Sequence, residues 1–213
     1  AVIVACGARS ARRMDIPGAD LEGVHYALEY LTESTKALLD RRDTTISAQG
    51  KDVAVIGGGD TGVDCIATAL RQGARSVRQI IRASRPADIV DTQAIWPAPR
   101  NTYSQAYGQR EAADLFGEDP RMWSTDTLSF VGEGNVTAVQ VRAIGSDEDA
   151  QDIPADLVLI AKGFTGPEQA VIDAFDGLDN VFVAGDAHLG STLVATAMAD
   201  ALDVANEVAS KLH

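Results

Sequence analysis

The sequence predicts an α/β protein built around a parallel sheet, and three observations carry that expectation. An apolar strand, Val53 to Ile56, runs directly into Gly57-Gly58-Gly59-Asp60-Thr61-Gly62 and an amphipathic helix. A second strand, Val77 to Ile81, arrives after Gly73 and completes a βαβ unit of roughly thirty residues. Towards the other end, Val181 to Ala184 runs into Gly185-Asp186, and a closing helix follows from Thr192.

Taken in order, Ala1 to Ala5 reads as a buried apolar strand ended by Cys6-Gly7-Ala8. Chain termini are commonly polar and frayed, so Ala1 is expected to be a cut, with a segment missing before it. Arg9 to Arg13 reads as a polar, basic connector, and Ile16-Pro17-Gly18 as a turn. His25 to Arg42 reads as a helix with Leu28, Leu31, Ala37 and Leu38 on its apolar side. In the helix after the glycines, Val63, Ile66, Ala67 and Leu70 recur at helical spacing, and Gly73 takes the C′ position that ends it.

From Ala83 to Trp123 the pattern loosens, with Pro86, Pro97, Pro99 and Pro120 interrupting it and one short helix expected around Gln105 to Phe116. Thr125 to Val131 and Val136 to Ala143 form a hairpin across Gly132-Glu133-Gly134-Asn135. Asp147 to Asp152 is expected as a solvated acidic loop, and Ala155 to Ala161 as another buried strand. In the closing helix, Val194, Ala197, Met198, Ala201, Leu202, Ala205 and Val208 are expected to share a packed face.

Composition narrows the functional classes. The 213 residues are 46% hydrophobic, enough for a substantial core, and carry a formal net charge of -13. A phosphate backbone demands a basic face, so nucleic acid is not an expected partner. No apolar run approaches the ~18 residues of a membrane span, and no basic stretch introduces a leader peptide. Cys6 and Cys65 form no CxxC and read as free thiols of a reducing compartment, which places the protein in the cytoplasm. His25, His188 and His213 lack metal-ligand spacing, so no metal is expected and redox chemistry would fall to an organic cofactor.

The glycine string fits G-x-G-x-x-G in its proper context, a strand before it and a helix after. Gly57 permits the tight turn, Gly59 lets a pyrophosphate approach the backbone, and Gly62 lets the helix pack on the strand. Gly58, Asp60 and Thr61 complete the phosphate-facing loop, whose N–H groups at the helix start favour negative charge. The choice of dinucleotide is made at the end of the second strand. A carboxylate there grips the ribose 2′-hydroxyl of NAD, whereas this chain offers Arg82 and Arg85 and no carboxylate before Asp88. Guanidinium forks bind phosphate bidentately, so NADP(H) is expected over NAD(H). Gly185-Asp186 is open to two readings, a common loop start or a second nucleotide turn.

The strings together resemble the small (beta) subunit of NADPH-dependent glutamate synthase over nearly the whole chain. They are Gly57 to Cys65, Leu70-Arg71-Gln72-Gly73-Ala74, Ala161 to Glu168, Val183-Ala184-Gly185-Asp186, and Gly190 with Leu193 to Ala199. The resemblance implies a Rossmann-like NAD(P)-binding domain with a three-layer sheet. It further implies a partial FAD-binding Rossmann-like domain, the two-dinucleotide flavoprotein architecture. Residues 21–163 would be the NADPH-binding domain, inserted between partial FAD-binding segments at 1–20 and 164–213. Asp186 would meet the ribityl chain of FAD, and Gly185, Thr192 and Leu193 would belong to the same flavin turn. Gly163 and Phe164, with the stretch 83–123, would line the nicotinamide side. Hydride transfer is the cofactors' own chemistry, so no catalytic acid, base or nucleophile is expected.

The family passes electrons from NADPH through FAD and iron–sulfur clusters to a large synthase subunit, which makes glutamate from glutamine and 2-oxoglutarate. The partners implied are that subunit and an N-terminal iron–sulfur and FAD segment absent from this sequence. The 213 residues alone are therefore expected to be inactive and nearly colourless. Departures from the family lie at His188-Leu189, at Asp200-Ala201-Leu202, and at the end of the second strand, which lacks paired arginines. Alternatives are the electron-input part of another flavoprotein, such as a ferredoxin–NADP reductase or a pyrimidine dehydrogenase, and a non-catalytic nucleotide-binding module. A disulfide reductase is disfavoured by the lack of a redox CxxC.

Overall fold

The structure, a computed structural model, describes residues 1–88, 102–146 and 148–212. It divides into two compact units, Met14–Lys162 and Ala1–Arg13 with Gly163–His213. In chain order the first elements are β1 (Val2–Val4), β2 (Ser10–Ala11), β3 (Val24–Tyr26), α1 (Ala27–Asp40), β4 (Asp52–Ile56), α2 (Asp60–Arg71) and β5 (Ser76–Ile80). Then come α3 (Tyr107–Phe116), β6 (Arg121–Met122), β7 (Thr125–Glu133), β8 (Asn135–Ala143), β9 (Gln151–Pro154) and β10 (Leu157–Ile160). The last are β11 (Phe164–Gly166), α4 (Gln169–Asp173), β12 (Val181–Val183), α5 (Asp186–Leu189) and α6 (Val194–Leu212).

The larger unit has three layers. Its centre is a five-stranded parallel sheet in the order β3-β10-β4-β5-β6. A parallel sheet covered on both faces needs near-continuous apolar strands, and Val53 to Ile56 and Leu157 to Ile160 supply them. Alternation sorts these residues. Val53, Val55, Leu157 and Leu159 pack with Tyr30 of α1, Cys65 and Ile66 of α2 and Ala112 of α3. Ala54, Ile56, Val158 and Ile160 face the other way, onto Phe130, Val136, Val139, Val141 and Ile153 of the antiparallel sheet β7-β8-β9. Each fully buried Val, Ile or Leu contributes roughly 1.5–3 kcal/mol, so the two cores hold the βαβ unit from both sides.

The smaller unit pairs β1 with β12 in parallel and β2 with β11 antiparallel. Ala184, Val204 and Val208 form its core with Phe182 packed against them.

Several sequence expectations need correction. The strand at the start is not buried: Val2 and Ile3 are exposed and only Val4 is covered, because β12 is its one neighbour among the described residues. The basic connector contains β2. His25 lies in β3, pairing with Leu159, so the helix begins only at Ala27. Its buried residues are Ala27, Tyr30 and Ala37, with Leu31 packed against the same core; Ala37 and Leu31 agree with the sequence expectation, whereas Leu28 and Leu38 are exposed because the covered stripe centres on Tyr30. Gln151 and Asp152 are not loop but part of β9, which pairs with β8 as the third strand of its sheet; Asp147 lies outside the described residues. In α6 the covered positions are Val204 and Val208, and Val194, Met198 and Leu202 face solvent. Residues 89–101, including Pro97 and Pro99, lie outside the described structure, as does His213.

Candidate functional site

The turn between β4 and α2 has the geometry that the glycine pattern requires. Gly57 has φ +128, and a Cβ there would stand 2.2 Å from the Ala161 carbonyl oxygen. Only glycine permits that approach. A Cβ at Gly62 would stand 3.0 Å from both the Gly57 oxygen and the Gln79 amide nitrogen, so this glycine sets how closely α2 packs. Gly59 differs: its φ is -86 and a Cβ there would meet nothing within 4 Å. Internal packing gives no reason for glycine at that position.

Gly59 is the N-cap of α2 and carries no side-chain cap. The N–H of Gly62 donates to the Gly59 carbonyl at 2.9 Å. Among the described residues, no acceptor meets the N–H groups of Gly58, Gly59, Asp60 or Thr61. Gly58, Gly59 and Asp60 are exposed. The open end of a twelve-residue helix thus presents unpaired donors and the positive end of the helix dipole to solvent. An anionic pyrophosphate fits this end on two counts, available donors and a backbone left bare where a side chain would obstruct.

A buried amide relay, unforeseen from the sequence, holds the turn. Gln79 on β5 is fully buried and donates to the Gly57 carbonyl at 2.8 Å, while its own oxygen accepts from Gln109 Nε2 at 2.8 Å. Gln109 Oε1 in turn accepts the Ala106 N–H at 2.9 Å, which caps the start of α3. The signal available was a glutamine at a strand position whose neighbours on the same face, Val77 and Ile81, are apolar.

Beside the turn is a cavity of about 350 Å³ lined by Gly58, Asp60, Ser84, Pro86, Arg121 and Trp123 among others. Arg82 and Arg85 leave β5 beside it but are not among its lining residues. Arg82 pairs loosely with Asp126 at 3.7 Å, and Arg85 makes a two-point contact with Asp88 at 2.7 and 3.2 Å. The side chain of Arg121 is 3% exposed and held by Asp119. Burial pushes the Asp119 carboxyl up, but hydrogen bonds from Arg121 and Tyr103 outweigh that and hold it at about 2. Burial pushes the Cys65 thiol up to about 12, which leaves it a packing residue rather than a nucleophile.

The remaining predicted residues belong to the smaller unit. Gly163 has φ +77 and accepts the Arg12 N–H at 2.9 Å, and Phe164 opens β11, paired with Ala11. Gly185 has φ +65 at the end of β12. Its N–H donates to Asp200 Oδ2 at 2.6 Å, and Asp200 Oδ1 meets His188 Nδ1 at 2.8 Å. His188, one of the departures from the family pattern, is therefore the partner of Asp200, the acidic residue that precedes another, Ala201-Leu202. The Asp186 carboxylate accepts the Thr192 hydroxyl at 2.6 Å and its N–H at 3.2 Å, and Leu193 is exposed at the start of α6. Among the described residues, no three His, Cys, Asp or Glu side chains form a metal-binding group, and no helix is long and apolar enough to cross a membrane.

Comparison with known proteins places this geometry. Residues 1–97 match the family model described as pyridine nucleotide-disulphide oxidoreductase. The small chain of NADPH glutamate synthase from Bacillus subtilis is 36% identical over 243 aligned positions, covering 98% of this chain and 49% of that one. The corresponding chain of Mycobacterium tuberculosis is 38% identical, covering 94% and 46%. The chain is a relative of the glutamate synthase small chains. It spans about half the length of the curated relatives it matches. The fold is also that of Mycobacterium tuberculosis FprA in complex with NADPH, with a TM-score of 0.65 at 18% identity over 100% of this chain and 63% of that one. This chain thus shares the α/β fold of that oxidoreductase.

Proposed function

We propose that this chain is the NADPH-binding portion of a glutamate synthase small subunit. It would deliver reducing equivalents from NADPH to FAD for glutamate synthesis from glutamine and 2-oxoglutarate by a large subunit, in the cytoplasm. The observation that carries the reading is the open N-terminus of α2, where Gly59 leaves the backbone bare and four N–H groups have no acceptor among the described residues.

NADPH, when bound, supplies the hydride; the work of this chain is to bind and orient. The N–H groups of Gly58, Gly59, Asp60 and Thr61 would hold the pyrophosphate against the helix dipole. Gly57 and Gly62 let strand and helix close to the distance that aims those groups. Arg82 and Arg85 would meet the ribose 2′-phosphate as charge-assisted donors. Gly163 and Phe164 are assigned to the nicotinamide side. Gly185, Asp186, Thr192 and Leu193 are assigned to the flavin, as parts of FAD-binding segments 1–20 and 164–213 flanking an NADPH-binding domain 21–163. No side chain is assigned an acid, base or nucleophilic role.

The test is calorimetric titration of the 213-residue chain with NADPH and with NADH. Saturable NADPH binding, tighter than NADH, is the expected result. No saturable binding of either nucleotide would overturn the reading. In the full-length protein with its large subunit, NADPH oxidation should depend on both glutamine and 2-oxoglutarate. NADPH oxidation independent of both would reassign the chain to another flavoprotein reductase.

A further inference from the structure

We propose that Tyr103 and Asp119 are positioning residues that hold the Arg85 guanidinium in place and so set the preference between NADPH and NADH. The inference rests on the dinucleotide-binding reading and deepens it.

Arg85 leaves β5 on a surface loop, with its side chain 45% exposed. A long cationic side chain in that setting loses conformational freedom when it grips a ligand, and pre-ordering lowers that cost. Here the ordering comes from the Tyr103 ring beside Asp88, whose carboxylate accepts from both terminal nitrogens of Arg85 at 2.7 and 3.2 Å. The Arg85 guanidinium carbon lies 4.0 Å from the Tyr103 ring centroid. Arg121 lies 4.6 Å from the same centroid and 4.9 Å from that of Trp123. Arg85, Tyr103, Arg121 and Trp123 thus form a ladder of alternating guanidinium and aromatic groups, in which each contact is favoured by the negative ring face.

Asp119 fixes the inner part of the ladder. Its carboxylate accepts the Tyr103 hydroxyl at 2.6 Å, Arg121 Nε at 2.9 Å and Arg121 Nη2 at 2.8 Å. Arg121 Nη1 also donates to the Ser104 carbonyl at 2.7 Å. The Tyr103 N–H donates to the Ala87 carbonyl at 2.8 Å, tying the ring's backbone to the loop that carries Arg85.

The charges divide the labour. Arg121 is buried and matched by Asp119, so its role towards Arg85 is mechanical. Arg85 is the exposed cation of the ladder, and it stands between Ser84 and Pro86, which line the cavity next to Gly58 and Asp60. A phosphate arriving there, in place of Asp88, would meet a guanidinium already stacked on the Tyr103 ring. NADH lacks that phosphate and gains nothing from the arrangement, so the ladder acts on the ratio of affinities rather than on binding as such.

The experiment compares dissociation constants for NADPH and NADH across variants of the 213-residue chain. Tyr103→Leu should weaken NADPH five- to tenfold and leave NADH within twofold, whereas Tyr103→Phe, which keeps the ring, should retain most of the preference. In an Arg85→Ala background, Tyr103→Leu should change the ratio no further, because the residue it positions is gone. Asp119→Asn should shift the ratio in the same direction as Tyr103→Leu. Equal losses for both nucleotides, or an unchanged ratio, would overturn the positioning role while leaving the binding reading intact. If the unaltered chain binds neither nucleotide, the binding reading itself fails and this inference with it. Should Tyr103→Leu not fold by circular dichroism, Tyr103→Met, which keeps bulk without the ring, is read in its place.

Discussion

Gln79 donates its side-chain amide to the Gly57 carbonyl at 2.8 Å from a strand position with no solvent exposure. The bond joins β5 to the turn after β4, and Gln109 continues it into α3. Replacing Gln79 by Leu would strand a buried carbonyl and a buried amide. Each unsatisfied group costs about 1–3 kcal/mol, so denaturant unfolding should show a loss of roughly 3 kcal/mol. NADPH affinity should fall as the turn loosens. Unchanged stability would mean that water replaces the relay without cost.

The glycines of the turn should separate into structural and ligand-facing members. Gly57→Ala places a Cβ 2.2 Å from a carbonyl oxygen and should unfold the protein or lower its melting temperature severely. Gly59→Ala meets nothing within 4 Å at an ordinary φ, so its melting temperature should stay close to that of the parent. Its NADPH affinity should nevertheless drop at least roughly tenfold, because the methyl group would occupy the path of the pyrophosphate. An alanine variant that binds normally would remove the main support for the proposed site.

Asp88 competes with any phosphate for Arg85. The pair is exposed, with side chains 45% and 66% accessible, so its loss should barely affect stability. Asp88→Asn should free the guanidinium and tighten NADPH by a few-fold at low salt, leaving NADH unchanged. Arg82→Ala with Arg85→Ala should abolish the difference between the two nucleotides. Both are read by titration at two ionic strengths, and insensitivity to either change would detach the arginines from selectivity.

Asp119 contributes to the acid sensitivity of the larger unit. Its folded pKa, about 2, lies below the ordinary value of 3.8. A depressed carboxylate stabilises the fold fully above its unfolded value, and that contribution disappears as pH falls through the folded value. Worth roughly 2 kcal/mol by linkage, it should be lost between about pH 4 and pH 2. Equilibrium unfolding of Asp119→Asn should show a flatter stability profile over that window. A parallel profile at lower stability would mean that the carboxylate's charge is not what matters.

The proposed place of Phe164 on the nicotinamide side predicts an effect on turnover rather than on folding. In the full-length protein, Phe164→Ala should slow reduction by NADPH more than it lowers flavin content, measured by stopped-flow absorbance and by flavin release. The opposite ranking would move Phe164 to the flavin side.

Local patterns were legible wherever one residue's chemistry suffices. The βαβ unit, the glycine turn and the β7-β8 hairpin all follow from spacing and turn residues. The face of α2 was legible too, with Val63, Ile66 and Ala67 buried as their spacing predicts, but those of α1 and α6 were only partly so. Leu38, Met198 and Leu202 are as apolar as the residues that are buried, and only the neighbouring layers decide which stripe is covered. The same limit applied to the site. Arg82 and Arg85 could be named because strand ends are recognisable, whereas Tyr103, which meets Arg85, and Asp119 and Arg121, which meet Tyr103, stand far from it along the chain and come together only through space.

By itself, then, the chain of residues determined the α/β class, the glycine turn between β4 and α2 and the relationship to the glutamate synthase small chains. The class and the turn depend on periodicity and backbone freedom, which are local properties, and the relationship depends on strings of residues read in order. Tertiary structure alone decided that a buried glutamine pair clamps the turn and that Asp88 and Tyr103 both hold Arg85. Hydrogen bonds and ring contacts of that kind join residues through space, and sequence separation carries no record of them.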